Sequence, residues 1–186
     1  LGEAVARVPV SGDFVISSAN SAGVIGIPKS GHNLARPGII IYGPQPSDEM
    51  EHKLDLQYVM RIVSHVTHVQ TLHKGEAIGY GGTYVADKDM KTATVPIGYA
   101  DGYPRCLSNK GEVLIGGKRC PIVGRICMDQ FMVAVDDSVK PGDEVILMGR
   151  QGEGEITLDE VAKTAGTIPH EITCDLKRIP RVFVEK

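Results

Sequence analysis

The sequence predicts a mainly β, barrel-like domain with one or two short helices, preceded by the last strands of an α/β unit. Three observations carry that prediction. The 22 glycines and 11 prolines divide the chain into many short apolar runs, the pattern of strands joined by tight turns. One segment alone, near residue 160, combines helical periodicity with a start signal and a stop signal. The opening segment differs in texture and holds a continuous Ile run, so the chain divides into residues 1–54 and 55–186.

Within the opening segment, Val15-Ile16 lead into Ser17-Ser18-Ala19-Asn20-Ser21, and Arg36-Pro37-Gly38 lead into Ile39-Ile40-Ile41-Tyr42-Gly43. A continuous Ile run closed by Gly suits a strand buried on both faces, as in a parallel sheet. Pro44 to Leu54 is polar and reads as a linker. Beyond it, strands are expected at Tyr58 to Val69, Lys91 to Ile97, Glu112 to Ile115, Phe131 to Asp136 and Glu144 to Met148, with a closing strand at Arg181 to Val184. Gly116-Gly117 supplies the positive φ of a hairpin turn. Thr157 with Glu160 forms a capping-box pattern, and Leu158, Val161 and Ala162 give one apolar face. Gly166 stands where that helix stops, and Pro169 suits the first position of a second, shorter one.

Composition narrows the function classes. At 42% hydrophobic and 23% charged residues, the chain can build an ordinary core. A net charge of −3 with scattered Lys and Arg leaves no basic face for nucleic acid. No apolar run approaches the ~20 residues that cross a bilayer, and no secretory signal opens the chain. Cys106, Cys120, Cys127 and Cys174 show no metal-binding spacing, so reduced thiols, no metal and a cytoplasmic setting are expected. The chain opens at Leu1 in what reads as the middle of a folded segment, so a longer protein is expected.

Four constellations carry possible chemistry. Ile78-Gly79-Tyr80-Gly81-Gly82-Thr83-Tyr84 presents a phenol on glycines that let the backbone turn sharply. A tyrosine becomes a base only where its surroundings favour phenolate, because its ordinary pKa is about 10. Taken alone, Tyr80 is a solvated tyrosine in a glycine-rich turn. Pro96-Ile97-Gly98-Tyr99-Ala100-Asp101-Gly102-Tyr103-Pro104-Arg105 runs an apolar strand into a polar turn. Pro121-Ile122-Val123-Gly124-Arg125-Ile126-Cys127-Met128-Asp129-Gln130 sets Arg125 and Asp129 in an apolar stretch, as an internal salt bridge or as functional groups. Ala19-Asn20-Ser21 with Arg36-Pro37-Gly38-Ile39 could cradle a phosphate through a hydroxyl and backbone N–H groups.

In this order and spacing, the four segments resemble the alanine racemase family, pyridoxal-phosphate enzymes of fold type III. The resemblance runs from about Phe14 to the end, through Leu147-Met148-Gly149-Arg150-Gln151-Gly152 and Arg178-Ile179-Pro180-Arg181. It implies the C-terminal part of a racemase that interconverts L- and D-alanine and supplies D-alanine for bacterial peptidoglycan. The opening segment would then end a (β/α)8 barrel that binds pyridoxal 5'-phosphate. The family works as head-to-tail homodimers in which each site is completed by the partner's C-terminal domain. Two bases act on opposite faces of the substrate Cα, a barrel lysine and a tyrosine, and by motif that tyrosine is Tyr80. Arg36 would meet the pyridine nitrogen, and Ser21, Gly38 and Ile39 the cofactor phosphate. Met128 would offer its backbone N–H to the substrate carboxylate, its side chain otherwise being a core filler, and Tyr99 would line the entrance.

Two positions depart from the family pattern. His170 stands where the family has a tyrosine that contacts the phosphate and braces the catalytic tyrosine, and Ser17 replaces a histidine that supports the arginine. The family's lysine motif does not occur in these residues, so the 186-residue chain alone is expected to be inactive. The rival readings are a serine or broad-spectrum amino-acid racemase, and a non-catalytic β module kept for dimerisation or binding.

Overall fold

The computed structural model describes residues 12–27, 33–47 and 49–184, together with Glu3, Ala6 and Arg7. Leu1, where the chain opens, and Asp48 of the polar linker lie outside the described residues. The chain divides into two compact units, Leu1–Val59 and Met60–Lys186.

In the first unit, helix α1 spans Ser21–Gly26 and is capped by Asn20, whose Oδ1 accepts from the Gly23 N–H at 3.0 Å. Parallel pairing is present as a single bridge, Ala19 with Ala35, beside a 2.8 Å bond from the Arg36 N–H to the Ala19 carbonyl. Asn33 holds the extended segment before α1 along one edge, accepting from the Ile16 N–H and donating to the Phe14 carbonyl. The strand expected at Ile39–Ile41 is instead a 3₁₀ turn, Ile39–Tyr42. Gly38 enters at φ −122, ψ −91 and Gly43 leaves at φ 106, so the Ile run is pinched between two non-strand backbones. One face alone is covered: Ile39 is 3% exposed and Ile41 59%. Here β-branched composition yields to local backbone geometry. The polar linker is tied rather than loose, since the Gln45 amide bonds both the Leu54 carbonyl and its N–H.

The second unit carries ten strands among the described residues: β1 Ile62–His65, β2 His68–Leu72, β3 Ala77–Ile78, β4 Tyr84–Val85, β5 Met90–Val95, β6 Glu112–Ile115, β7 Lys118–Val123, β8 Phe131–Val135, β9 Glu144–Gln151 and β10 Gly154–Ile156. Eight form one antiparallel sheet in the order β1-β9-β6-β7-β8-β5-β2, with β10 added on β9. β3 and β4 form a separate hairpin. The single strand expected at Tyr58–Val69 is two strands at opposite ends of the path. Val66 sends its N–H to the Asp143 carbonyl and Thr67 sends its own to Thr94, so the chain changes partners between adjacent residues. Chain continuity there brings the two ends of the path together without pairing them, so the barrel-like sheet is not closed.

Gly116 and Gly117 turn β6 into β7 at φ 58 and φ 78, both in the left-handed region that this two-residue turn requires. Helix α2, Leu158–Ala165, starts at Thr157, whose Oγ1 accepts from the Glu160 N–H, and ends at Gly166 with φ 76. Helix α3, Pro169–Asp175, follows. Leu158, Val161 and Ala162 are buried, and in the sheet the consecutive residues Val113–Leu114 and Val145–Leu147 are buried too, so both faces are covered there. The closing strand expected at Arg181–Val184 is absent: these residues pair with no described strand, and Phe183 is 90% exposed. Pro180 just before them has no N–H to begin a ladder.

Candidate active-site face

Tyr80 stands at the tip of the β3–β4 hairpin. Ile78 is buried against Val123 and Met132 and anchors the hairpin's entrance. Beyond it the backbone passes through three left-handed glycines, Gly79, Gly81 and Gly82, which carry Tyr80 outward to 73% exposure. This turn lies directly on the Gly124–Arg125 turn. A Cβ on Gly124 would meet the Ile78 carbonyl oxygen at 2.8 Å, and one on Gly81 would meet the Arg125 guanidinium at 3.3 Å. Gly124 leaves no room for a side chain where the backbones touch, whereas the Arg125 guanidinium beside Gly81 could yield by a few tenths of an ångström.

The second and third constellations are also joined. The Tyr99 N–H donates to the Cys127 carbonyl at 3.1 Å and the Ala100 N–H to the Met128 carbonyl at 3.0 Å. Asp101 holds the start of that turn by accepting from the Gly98 N–H at 2.9 Å. Tyr80, Tyr99, Cys127, Met128 and Asp129 therefore share one open depression of about 760 Å³. Met128 is no core filler: it is 54% exposed. Its carbonyl is used by Ala100, while its N–H has no acceptor among the described residues. Arg125 and Asp129 form no ion pair among the described residues, so the internal salt bridge that would have explained them structurally is not made.

His170 is the second residue of α3, exposed, and is not among the residues lining the depression. The end of α3 does reach the Tyr99 turn, because a Cβ on Gly102 would lie 2.0 Å from the Asp175 carbonyl oxygen. Sequence reasoning missed Ser108 and Asn109. The Ser108 Oγ accepts from the Ile126 N–H at 2.9 Å, and the Asn109 Oδ1 accepts from the Gly124 N–H at 2.6 Å. The available signal was the pair Asn109-Lys110 before Gly111, a turn with an Asn able to adopt left-handed backbone.

In the first unit, Ser21 is 6% exposed and its Oγ accepts from the Gly38 N–H at 2.8 Å. That bond leaves the hydroxyl proton free to donate. It also sets side by side the starts of α1 and of the Ile39–Tyr42 turn, whose first N–H groups have no acceptor within their own helices. A hydroxyl and two sets of such N–H groups fit a small anion such as a phosphate. Arg36 donates to the Ser17 Oγ, so the serine at this position is itself the support of the guanidinium.

Residues 59–183 match the family model described as "Alanine racemase, C-terminal domain". The chain belongs to the alanine racemase family. An alanine racemase of Halothermothrix orenii is 44% identical over 172 residues, covering 91% of this chain and 45% of that protein. The crystal structure of alanine racemase from E. faecalis superimposes with a TM-score of 0.89 at 41% identity, covering 97% of this chain and 49% of the other. The alanine racemase structure from Bartonella henselae, with covalently bound pyridoxal phosphate, gives 0.84 at 35% identity over 98% of this chain and 50% of that one. The chain thus spans about half the length of the alanine racemases it matches. Among the described residues, no helix is long and apolar enough to cross a membrane.

Proposed function

We propose that this chain is the C-terminal part of a pyridoxal-phosphate-dependent alanine racemase that interconverts L- and D-alanine, with Tyr80 as one of its two proton-transfer groups. The observation that carries the reading is the convergence of Tyr80, Tyr99 and Met128 on one open depression, with no covering element among the described residues. A phenol presented on glycines at an open face suits a site completed by a second subunit.

Racemisation takes the Cα proton from one face and returns a proton on the other, and two groups on opposite faces do this without either having to move. Tyr80 serves the face from which the L-enantiomer loses its proton. Its hydroxyl is held out from the hairpin at the edge of the depression and is free to approach a substrate there. The Met128 N–H, lacking a partner among the described residues, donates to the substrate carboxylate and orients Cα towards the phenol. Tyr99 narrows the entrance. The cofactor, when bound, supplies the electron sink that makes the Cα–H bond acidic. The Ser21 hydroxyl and the Ile39 N–H would hold its phosphate, with Gly38 leaving the approach open, and Arg36, steadied by Ser17, would meet its ring nitrogen. His170 is the further phosphate contact that the family pattern assigns to this position. A homodimer in which each depression faces the partner's cofactor follows from the same reading, as does a role in supplying D-alanine to peptidoglycan.

The test is Tyr80→Phe in the full-length protein. Racemisation is expected to fall by about 10²–10⁴-fold. Solvent deuterium incorporation at Cα should be lost from L-alanine and persist with D-alanine. Parent rates with both enantiomers would overturn the assignment.

A further inference from the structure

We propose that Asn109 is the positioning residue that sets where the Tyr80 phenol stands, by clipping the Tyr80 turn to the Gly124–Arg125 turn. The proposal rests on Tyr80 being a proton-transfer group. Three left-handed glycines around Tyr80 remove the steric limits that a Cβ imposes, so the turn by itself has wide conformational freedom. Something outside it must fix the hydroxyl to within the fraction of an ångström that proton transfer demands. At the entrance, buried Ile78 does this. At the exit, Tyr84 packs on the same core and pairs with Ile78, and Thr83, the residue nearer the tip, is held by Asn109.

The Asn109 amide is used at both ends. Its Oδ1 accepts from the Gly124 N–H at 2.6 Å, and its Nδ2 donates to the Thr83 Oγ1 at 3.2 Å and towards the Thr83 carbonyl at 3.5 Å. Donor and acceptor on a single short side chain are what this position needs: one partner is an N–H, and the other offers oxygens. Asn109 is also the one non-glycine residue at positive φ among the described residues, at φ 57. Asn tolerates that backbone far better than most residues, and the backbone is what aims the amide between the two turns. Ser108 reinforces the arrangement from the adjacent position. Its hydroxyl donates to the Arg105 carbonyl at 2.6 Å and accepts from the Ile126 N–H at 2.9 Å. The pair Ser108–Asn109 therefore holds residues 124–126 in line with the tyrosine turn, while Gly79 and Gly124 let the two backbones touch.

Two variants of the full-length holoenzyme separate the bonds. Asn109→Asp, made together with Thr83→Val so that no hydroxyl can donate to the new carboxylate, keeps the acceptor for Gly124 and tolerates the backbone, but it turns an oxygen towards the carbonyl of residue 83. Asn109→Gly relieves the backbone and deletes both bonds. We expect kcat to fall about tenfold in the first and further in the second, with the KM for alanine within about twofold of the parent. The Cα-deuterium isotope effect should rise with L-alanine as substrate and stay put with D-alanine, a split that general loss of structure does not produce. Independently of activity, amide exchange across residues 79–84 should quicken at least about fivefold while that of residues 131–135 is unchanged. Parent values of kcat and of exchange in Asn109→Asp with Thr83→Val would overturn the proposal, as would isotope effects that rise equally for both enantiomers. If Asn109→Gly does not fold, Asn109→Asp with Thr83→Val decides. Tyr80→Phe is the control: no loss on the L side there sinks the reading of Tyr80, whereas a loss there with inert Asn109 variants sinks only the role of Asn109.

Discussion

Gly98 and Met128 meet backbone to backbone: a Cβ on Gly98 would lie 2.2 Å from the Met128 carbonyl oxygen and 2.4 Å from that of Cys127. The constraint is purely one of space, because Gly98 has φ −148, an extended backbone open to any residue. Gly98→Ala must therefore push the Tyr99 turn away from Met128 and break the bonds from Tyr99 and Ala100. We expect a loss of roughly 1–3 kcal/mol in a urea titration. An unchanged midpoint would show that the two turns can part at no cost.

Arg119 ties helix α2 to the β6–β7 hairpin. Its guanidinium takes both carboxylate oxygens of Glu160, a Glu112 oxygen and the Glu155 carbonyl. The hydrogen bond from Arg119 holds the Glu160 carboxyl below its ordinary range. A carboxyl depressed in the folded state stabilises fully above the unfolded-state value and loses that contribution as pH falls through the folded one. The acid limb of the stability curve, below about pH 5, should thus be shallower in Glu160→Gln. The side chain is 38% exposed, so solvent screening keeps the neutral-pH cost near about 1 kcal/mol or less. Urea midpoints at neutral and acid pH measure both.

Three of the four thiols should react in a fixed order. Cys106 and Cys174 are exposed, whereas Cys120 is 6% exposed and burial pushes its thiol up to about 11. Mild alkylation at neutral pH followed by peptide mass analysis should find Cys106 and Cys174 labelled and Cys120 intact until denaturant is added. Early labelling of Cys120 would contradict its placement between β6 and β8.

His170→Tyr tests side-chain selection. Histidine is shorter than the tyrosine of the family pattern, so the proposal is that it leaves room beside the substrate's side chain. In the full-length enzyme the tyrosine variant should raise the preference for alanine over serine by about tenfold in kcat/KM. An identical preference in parent and variant would refute the idea.

On the proposed reading, in which Tyr80 is one proton-transfer group and a barrel lysine the other, the 186-residue polypeptide supplied with pyridoxal phosphate should not racemise alanine. Measurable turnover by the purified chain would overturn that expectation.

Where the sequence was legible, a local signal had a local structural answer. Thr157, Glu160 and Gly166 bound a helix by short hydrogen bonds within its own first and last turns, and Gly116-Gly117 make their hairpin unaided. It misled where the answer lay elsewhere in the chain. Nothing in Tyr58 to Val69 announces that Val66 and Thr67 bond to residues as far apart as Asp143 and Thr94. The Ile39–Ile41 run misled for a local reason instead: it has the composition of a buried strand, yet the flanking Gly38 and Gly43 wind it into a turn. The site divides along the same line. Motif order marked Tyr80, Tyr99 and Met128, but Asn109 acts through contacts with residues 15 and 26 positions away. A single chain's pattern does not reveal such pairings.

The passage through Val66 and Thr67 also dictates an order of assembly. β1 and β2 are the first strands of the second unit to be synthesised, and they hold the two outer places in the sheet. Ile62 lies against Met148, so β1 waits for almost the whole unit before it has a partner. A chain interrupted before Glu144 has made the edge and lacks the strand that receives it. Such a topology, rich in contacts between distant positions, folds more slowly than one built from local contacts.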